Sequence, residues 1–188
     1  MSNTGMDIKL SDILLITLDQ FLETTKTKDK DNNLRGRTFF QKIVYFVSQY
    51  FKINTSYRAG LYGPYSYKVA YAIEELCTLN FIHEEVIPLL SGYLYIYTLT
   101  DDGKKICEKL RNDRQKEYEI VRKIIQAIPH DQDKLITAAK VHYIMKVMNV
   151  KGTDDIINWA RSVGWNLTKN EVEEAFEYIK ELEKIKNV

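Results

Sequence analysis

Apolar residues recur at helical spacing from near the start of the chain. Leu10, Leu14, Leu18, Phe21 and Leu22, with Ile13 beside them, predict a first helix over about 7–23. Residues 24–33 hold almost no apolar side chain and read as a surface loop. A second stripe of Phe40, Ile43, Val44, Val47, Tyr50 and Phe51, widened by Phe39 and Phe46, predicts a central helix over about 36–51. Arg37, Gln41 and Lys42 lie off that stripe. The period then shortens. Tyr57, Ala59 and Leu61 alternate as in a short strand, which Gly60 and Gly63 weaken. Proline has a locked φ and no amide donor, so Gly63-Pro64 reads as a turn, with Ser66 as the cap of a third helix over 67–79. Val69 or Ala70, Ile73, Leu76 and Cys77 point inward from it. Lys68, Tyr71, Glu74, Glu75 and Thr78 are left outside.

Residues 81–87 and 93–98 are rich in strand formers, and Pro88-Leu89-Leu90-Ser91-Gly92 suits a hairpin loop between them. Tyr93, Tyr95 and Tyr97 share one face, with Leu94 and Ile96 on the other. Thr100 is placed to cap the next helix, whose first turn carries Asp101 and Asp102. That helix is expected to run unbroken over 101–128, with a seam of Ile106, Leu110, Tyr118, Val121, Ile125 and Ile128, and to end at Pro129. Further helices are expected over 133–148 and 154–163. A last one is capped by Thr168 and reaches about 186, after the turn Gly164-Trp165-Asn166-Leu167. The order suggests a mainly α chain with a small β-hairpin: a winged helix-turn-helix over 7–103, a connecting long helix over 104–129, and a C-terminal helical region over 130–188.

Composition narrows the function classes. A net charge of +1 supplies no global basic field for nucleic acid, so a local patch would have to do that work. The strongest basic segment lies between Lys26 and Lys42, where six Lys or Arg face two Asp. Ten of the thirteen tyrosines fall between Tyr45 and Tyr97, so any aromatic contact surface belongs to that stretch. The two cysteines form no disulfide framework and point to a reducing cytoplasm. No apolar run is long enough for a membrane span, and residues 1–10 lack the pattern of a signal peptide.

Catalytic chemistry finds little support. Cys77 and Cys107 have no neighbouring histidine and sit beside apolar stripes, as inert thiols do. His83, His130 and His142 show no metal-ligand spacing, even with Asp131 and Asp133 nearby. No phosphate-cradling glycine loop or nucleophile elbow is present in the sequence. No catalytic residue, metal ligand or cofactor is therefore assigned.

Two blocks, Gln41-Lys42-Ile43-Val44-Tyr45-Phe46 and Leu61-Tyr62-Gly63-Pro64-Tyr65-Ser66, resemble the prokaryotic YwgA-like proteins. They are more distantly similar to the Panacea (SocA-like antitoxin) domain. The resemblance spans about 37–103. It implies a winged-helix-like scaffold, and the Panacea likeness implies a protein partner.

Two functions follow as expectations. The first is a winged-helix DNA-binding regulator. Its third helix would enter the major groove with Lys68 and Tyr71, while Arg35, Arg37 and Lys42 hold the phosphate backbone. Against it stand Glu74 and Glu75 on the same helix and a hairpin tip without a basic residue. The second is a protein-interaction module such as an antitoxin or adapter, with Tyr62, Tyr65 and Tyr67 flanking the turn as contact residues. A homodimer through the long helix and the C-terminal helices is expected in either case.

Overall fold

The computed structural model describes residues 8–25 and 33–186. Residues 7, 26–32 and 187–188, which the expectations above include, lie outside the described residues. Among those described there are eight helices and two small antiparallel sheets.

Helix α1 (Leu10–Thr25) is the hub. Its residues from Ile13 to Leu18 are all buried, so it is apolar nearly all round, as befits a helix surrounded by others. It packs against α2 (Arg37–Phe51), α3 (Tyr67–Thr78), α4 (Asp101–Asp113) and α5 (Gln115–Ala127). The stripe on α2 was expected to mark the central helix. It does face the core, but burial continues around the helix from Phe39 to Ser48 and includes Gln41 and Lys42.

Strand β1 (Leu34–Arg35) precedes α2 and was not foreseen, because two residues carry no period. It pairs with β5 (Tyr93–Leu99), which pairs with β4 (Ile82–Pro88), giving the antiparallel order β1-β5-β4. Glu84 lies opposite Tyr97 and Val86 opposite Tyr95. A separate ribbon joins β2 (Arg58–Gly60) to β3 (Gly63–Tyr65). Here the expected turn moves by two residues. Gly60 pairs with Gly63, so Leu61 and Tyr62 form the turn, and Pro64 lies in a strand. A two-stranded ribbon has only outer edges, where a missing amide donor is tolerated.

The long helix expected over 101–128 is two helices, α4 and α5, broken at Arg114 (φ −131°, ψ 39°). The break falls in the polar stretch that interrupted the seam. It lets α5 turn Tyr118, Val121, Ile124 and Ile125 into the core, where α5 meets α1 and α8 (Lys169–Lys186). The seam that was to join two copies is thus largely covered within one chain.

Helix α6 (Gln132–Met148) lies against α2 and α8, and α7 (Thr153–Ser162) joins α6 to α8. The expected caps form. Ser66 Oγ accepts the Val69 amide at 3.1 Å, and Thr100 Oγ1 accepts the Gly103 amide at 3.0 Å. Thr168 and Glu171 bond reciprocally in a capping box. Gly103 also has a steric reason to be glycine. A Cβ there would stand 2.0 Å from the Phe81 carbonyl oxygen, where β4 begins. Among the described residues, the buried apolar side chains other than Ile96 form a cluster running from α1 to α8.

Candidate interaction surface around helix α3

The ribbon β2–β3 and the start of α3 are held from below by buried polar groups. Gln41 binds Ser66 twice: its Nε2 donates to the Ser66 carbonyl at 3.0 Å, and its Oε1 accepts the Ser66 amide at 3.4 Å. Ser66 Oγ also donates to the Thr55 carbonyl, and the Tyr57 hydroxyl donates to the Gln41 carbonyl at 3.1 Å. Trp165 reaches across from the α7–α8 turn, and its Nε1 donates to the Gly60 carbonyl at 2.8 Å. Sequence reasoning placed Trp165 in a turn and missed its role as a clamp. The available signal was its size, since a large aromatic beside a turn glycine usually finds a core to fill.

Lys42 is the largest departure from expectation. It is 1% exposed, and its Nζ donates to the Pro64 carbonyl at 2.8 Å. Burial lowers its pKa to about 8, and the positive charge of Lys140 adds to the effect. Gly63 (φ +93°) makes room for both, because a Cβ there would lie 3.2 Å from Lys42 Cε and from Lys140 Cγ. The expectation that Lys42 lies outside and holds a DNA phosphate is therefore corrected. A helix position next to a broad apolar stripe became interior when the ribbon and α6 covered it.

Arg37 is also engaged. Its Nη2 lies 3.2 Å from both Glu84 carboxylate oxygens, its Nε donates to the Tyr97 hydroxyl at 3.3 Å, and its guanidinium stacks 3.9 Å from the centre of the Tyr95 ring. The cation–π contact and the ion pair hold the guanidinium against the sheet, while the side chain stays 46% exposed. Arg35 is exposed, and its Nε donates to Asn33 at 3.0 Å. Lys68 is exposed, with Nζ 3.5 Å from the Asn54 carbonyl. Of the four cations expected to contact DNA, Lys42 is therefore buried, while Arg35, Arg37 and Lys68 reach the surface.

The outer side of α3 is aromatic and acidic. Tyr67 and Tyr71 are 69% and 68% exposed and stand one turn apart. Tyr65 meets Tyr67 edge to face at 5.2 Å. Leu61 and Tyr62 are exposed at the ribbon tip, and Glu74 and Glu75 continue the outer side of α3. The other hairpin tip is apolar as well, with Leu89, Leu90 and Tyr93 exposed. Between α2, α3 and the inner face of β4–β5 lies a cavity of about 210 Å³, whose polar lining includes Arg37, Glu74, Cys77, Glu84 and Tyr97. Burial pushes the Cys77 thiol up to about 11, with Glu84 adding to the effect, so it is not a reactive thiolate near neutrality.

The histidines lie apart. His142 is buried with its Nδ1 2.8 Å from the Tyr45 hydroxyl, and His130 Nε2 is 2.9 Å from the Ile125 carbonyl. Among the described residues, no group of three His, Cys, Asp or Glu is arranged to hold a metal ion, and no helix is long and apolar enough to cross a membrane.

No protein-family model matches the chain. It is 35% identical over 88 residues to the uncharacterized protein YwgA of Bacillus subtilis (strain 168). The match covers 46% of this chain and 52% of that protein, so the chain spans about half the length of the curated relative it resembles.

Proposed function

We propose that this chain is a non-enzymatic protein-interaction module, of the antitoxin or adapter kind, built on a winged-helix-like frame from α1 to β5. The observation that carries the reading is the outer side of α3. Two exposed tyrosines stand there one turn apart, continued by Glu74 and Glu75. Exposed aromatics offer large contact area at low entropic cost, and interfaces are enriched in them. Carboxylates on the same helix repel a nucleic-acid backbone and favour a partner with basic side chains. The two free thiols suit a reducing cytoplasm.

The test is an affinity capture with the double variant Tyr67→Ala, Tyr71→Ala after nuclease treatment. Wild type is expected to retain a stoichiometric protein partner that the variant loses, with folding unaffected. Recovery of nucleic acid alone would end the reading.

A DNA-binding regulator is the second reading. It is supported by the helix–helix–hairpin order and by exposed Arg35, Lys68 and Tyr71. It predicts salt-dependent binding of double-stranded DNA that Arg35→Glu with Lys68→Glu abolishes. Light scattering tests the accompanying homodimer.

A further inference from the structure

Strand β4 is an edge strand of its sheet, since the order is β1-β5-β4. Its hydrogen-bonding phase follows from its two ends. The Leu89 amide donates to the Gly92 carbonyl at 3.0 Å, and the Thr100 amide donates to the Phe81 carbonyl at 3.2 Å. Bonded and non-bonded pairs alternate along an antiparallel ladder. Residues 83, 85 and 87 therefore direct their backbone groups to β5, and Ile82, Glu84 and Val86 direct theirs away from it. Among the described residues, these outward groups of Glu84 and Val86 make no backbone hydrogen bond. Val86 is exposed, and Pro88, which carries no donor, closes the edge at its tip end.

Side chains beside this edge define what it would accept. Glu84 projects toward the inner face, into the cavity it shares with Glu74 of α3. Two carboxylates there face one cation, Arg37, which already binds Glu84 and stacks on Tyr95. Among the described residues Glu74 makes no ion pair. Ala70 and Ile73 supply an apolar wall. A strand added to β4 would place the side chain opposite Glu84 on that same inner face, beside the cavity mouth.

We propose that the β4 edge and this cavity together take an extended segment of a partner protein, added as a fourth strand, with a lysine or arginine inserted between Glu74 and Glu84. The proposal deepens the protein-interaction reading by naming the class of segment recognised. Main-chain bonds to Glu84 and Val86 supply the pairing, and the acidic cavity supplies the selectivity. Charge complementarity favours this occupant over a second copy of the chain. Self-pairing centred on Glu84 or Glu85 would set carboxylates opposite one another, and β4 carries no lysine or arginine to answer Glu74.

The probe is a fluorescein-labelled peptide of alternating valine and lysine, with a valine–glutamate peptide as control, titrated by fluorescence anisotropy at physiological salt. Wild type is expected to bind the lysine peptide saturably and the control not at all. Glu74→Lys and Val86→Pro are each expected to weaken binding at least tenfold. The Val86 amide points away from β5, so the proline removes no internal ladder bond. Exchange of the Glu84 and Val86 amides in wild type should slow when the probe is added. This readout requires no variant to fold. Absence of binding, equal binding by Glu74→Lys, or unchanged amide exchange would each overturn the proposal. A natural partner lost by the Tyr67, Tyr71 double variant but retained by Val86→Pro would keep the α3 reading and overturn this one.

Discussion

Replacing Lys42 by methionine separates a buried charge from the scaffold around it. The side chain is 1% exposed, its ammonium bonds the Pro64 carbonyl at 2.8 Å, and its pKa falls from 10.5 to about 8. Between those two values the unfolded chain binds more protons at this site than the folded one, so stability must rise with pH across that window. Below about pH 8 both states are protonated and the full desolvation penalty is present. Above about pH 10.5 both are neutral and it vanishes. One pKa unit is about 1.4 kcal/mol, so the Lys42 contribution should grow by about 2.5 kcal/mol between pH 7 and pH 10. Lys42→Met lacks this titration, and the other groups largely cancel between the two proteins.

Urea unfolding of both proteins at half-unit pH steps measures the difference directly. At pH 7 the variant loses a bond worth about 1.5–3 kcal/mol but escapes a penalty of similar size, so the two should be close. At pH 10 wild type should lead by about 2–3 kcal/mol, because the neutral amine keeps its bond without the penalty. A difference that stays constant from pH 7 to pH 10 would refute a desolvated Lys42, and with it the packing of the ribbon over α2.

Other residues give sharper structural tests. Gly103→Ala drives a methyl into the Phe81 carbonyl and should cost about 3 kcal/mol, read as a lowered melting temperature. Tyr45→Phe removes the bond to His142 and should cost about 1 kcal/mol in urea unfolding. Thr17→Val replaces a fully buried hydroxyl that has no hydrogen-bond partner among the described residues and should stabilise the chain by about 1 kcal/mol. The exposed pair Tyr67→Ala, Tyr71→Ala should leave stability within about 0.5 kcal/mol of wild type in the same assay, while removing the partner.

Local chemistry was legible wherever a few adjacent residues decide the outcome. Ser66, Thr100 and Thr168 act at helix starts as their hydroxyls require, and Pro129 follows the end of α5. The hairpin strands lie within a residue or so of their expected bounds, because alternation and a proline–glycine loop are short-range signals. The outward positions Lys68, Tyr71, Glu74 and Glu75 on α3 were read correctly from helical period alone.

Burial of a cation, the route of a chain turn and the partners of a charge are long-range matters. Lys42 became interior because the ribbon and α6 close over α2, and no window of neighbouring residues carries that information. Arg37 is paired with Glu84, Tyr95 and Tyr97, which are 47 or more positions away. Trp165 became a clamp on Gly60 across 105 positions. The sequence by itself determined a mainly helical chain, its caps, its hairpin and the outer side of α3, since these follow from dihedral preferences and the period of apolar residues. Only the tertiary structure decided which cations are buried or paired, because that depends on which distant surfaces meet and exclude water.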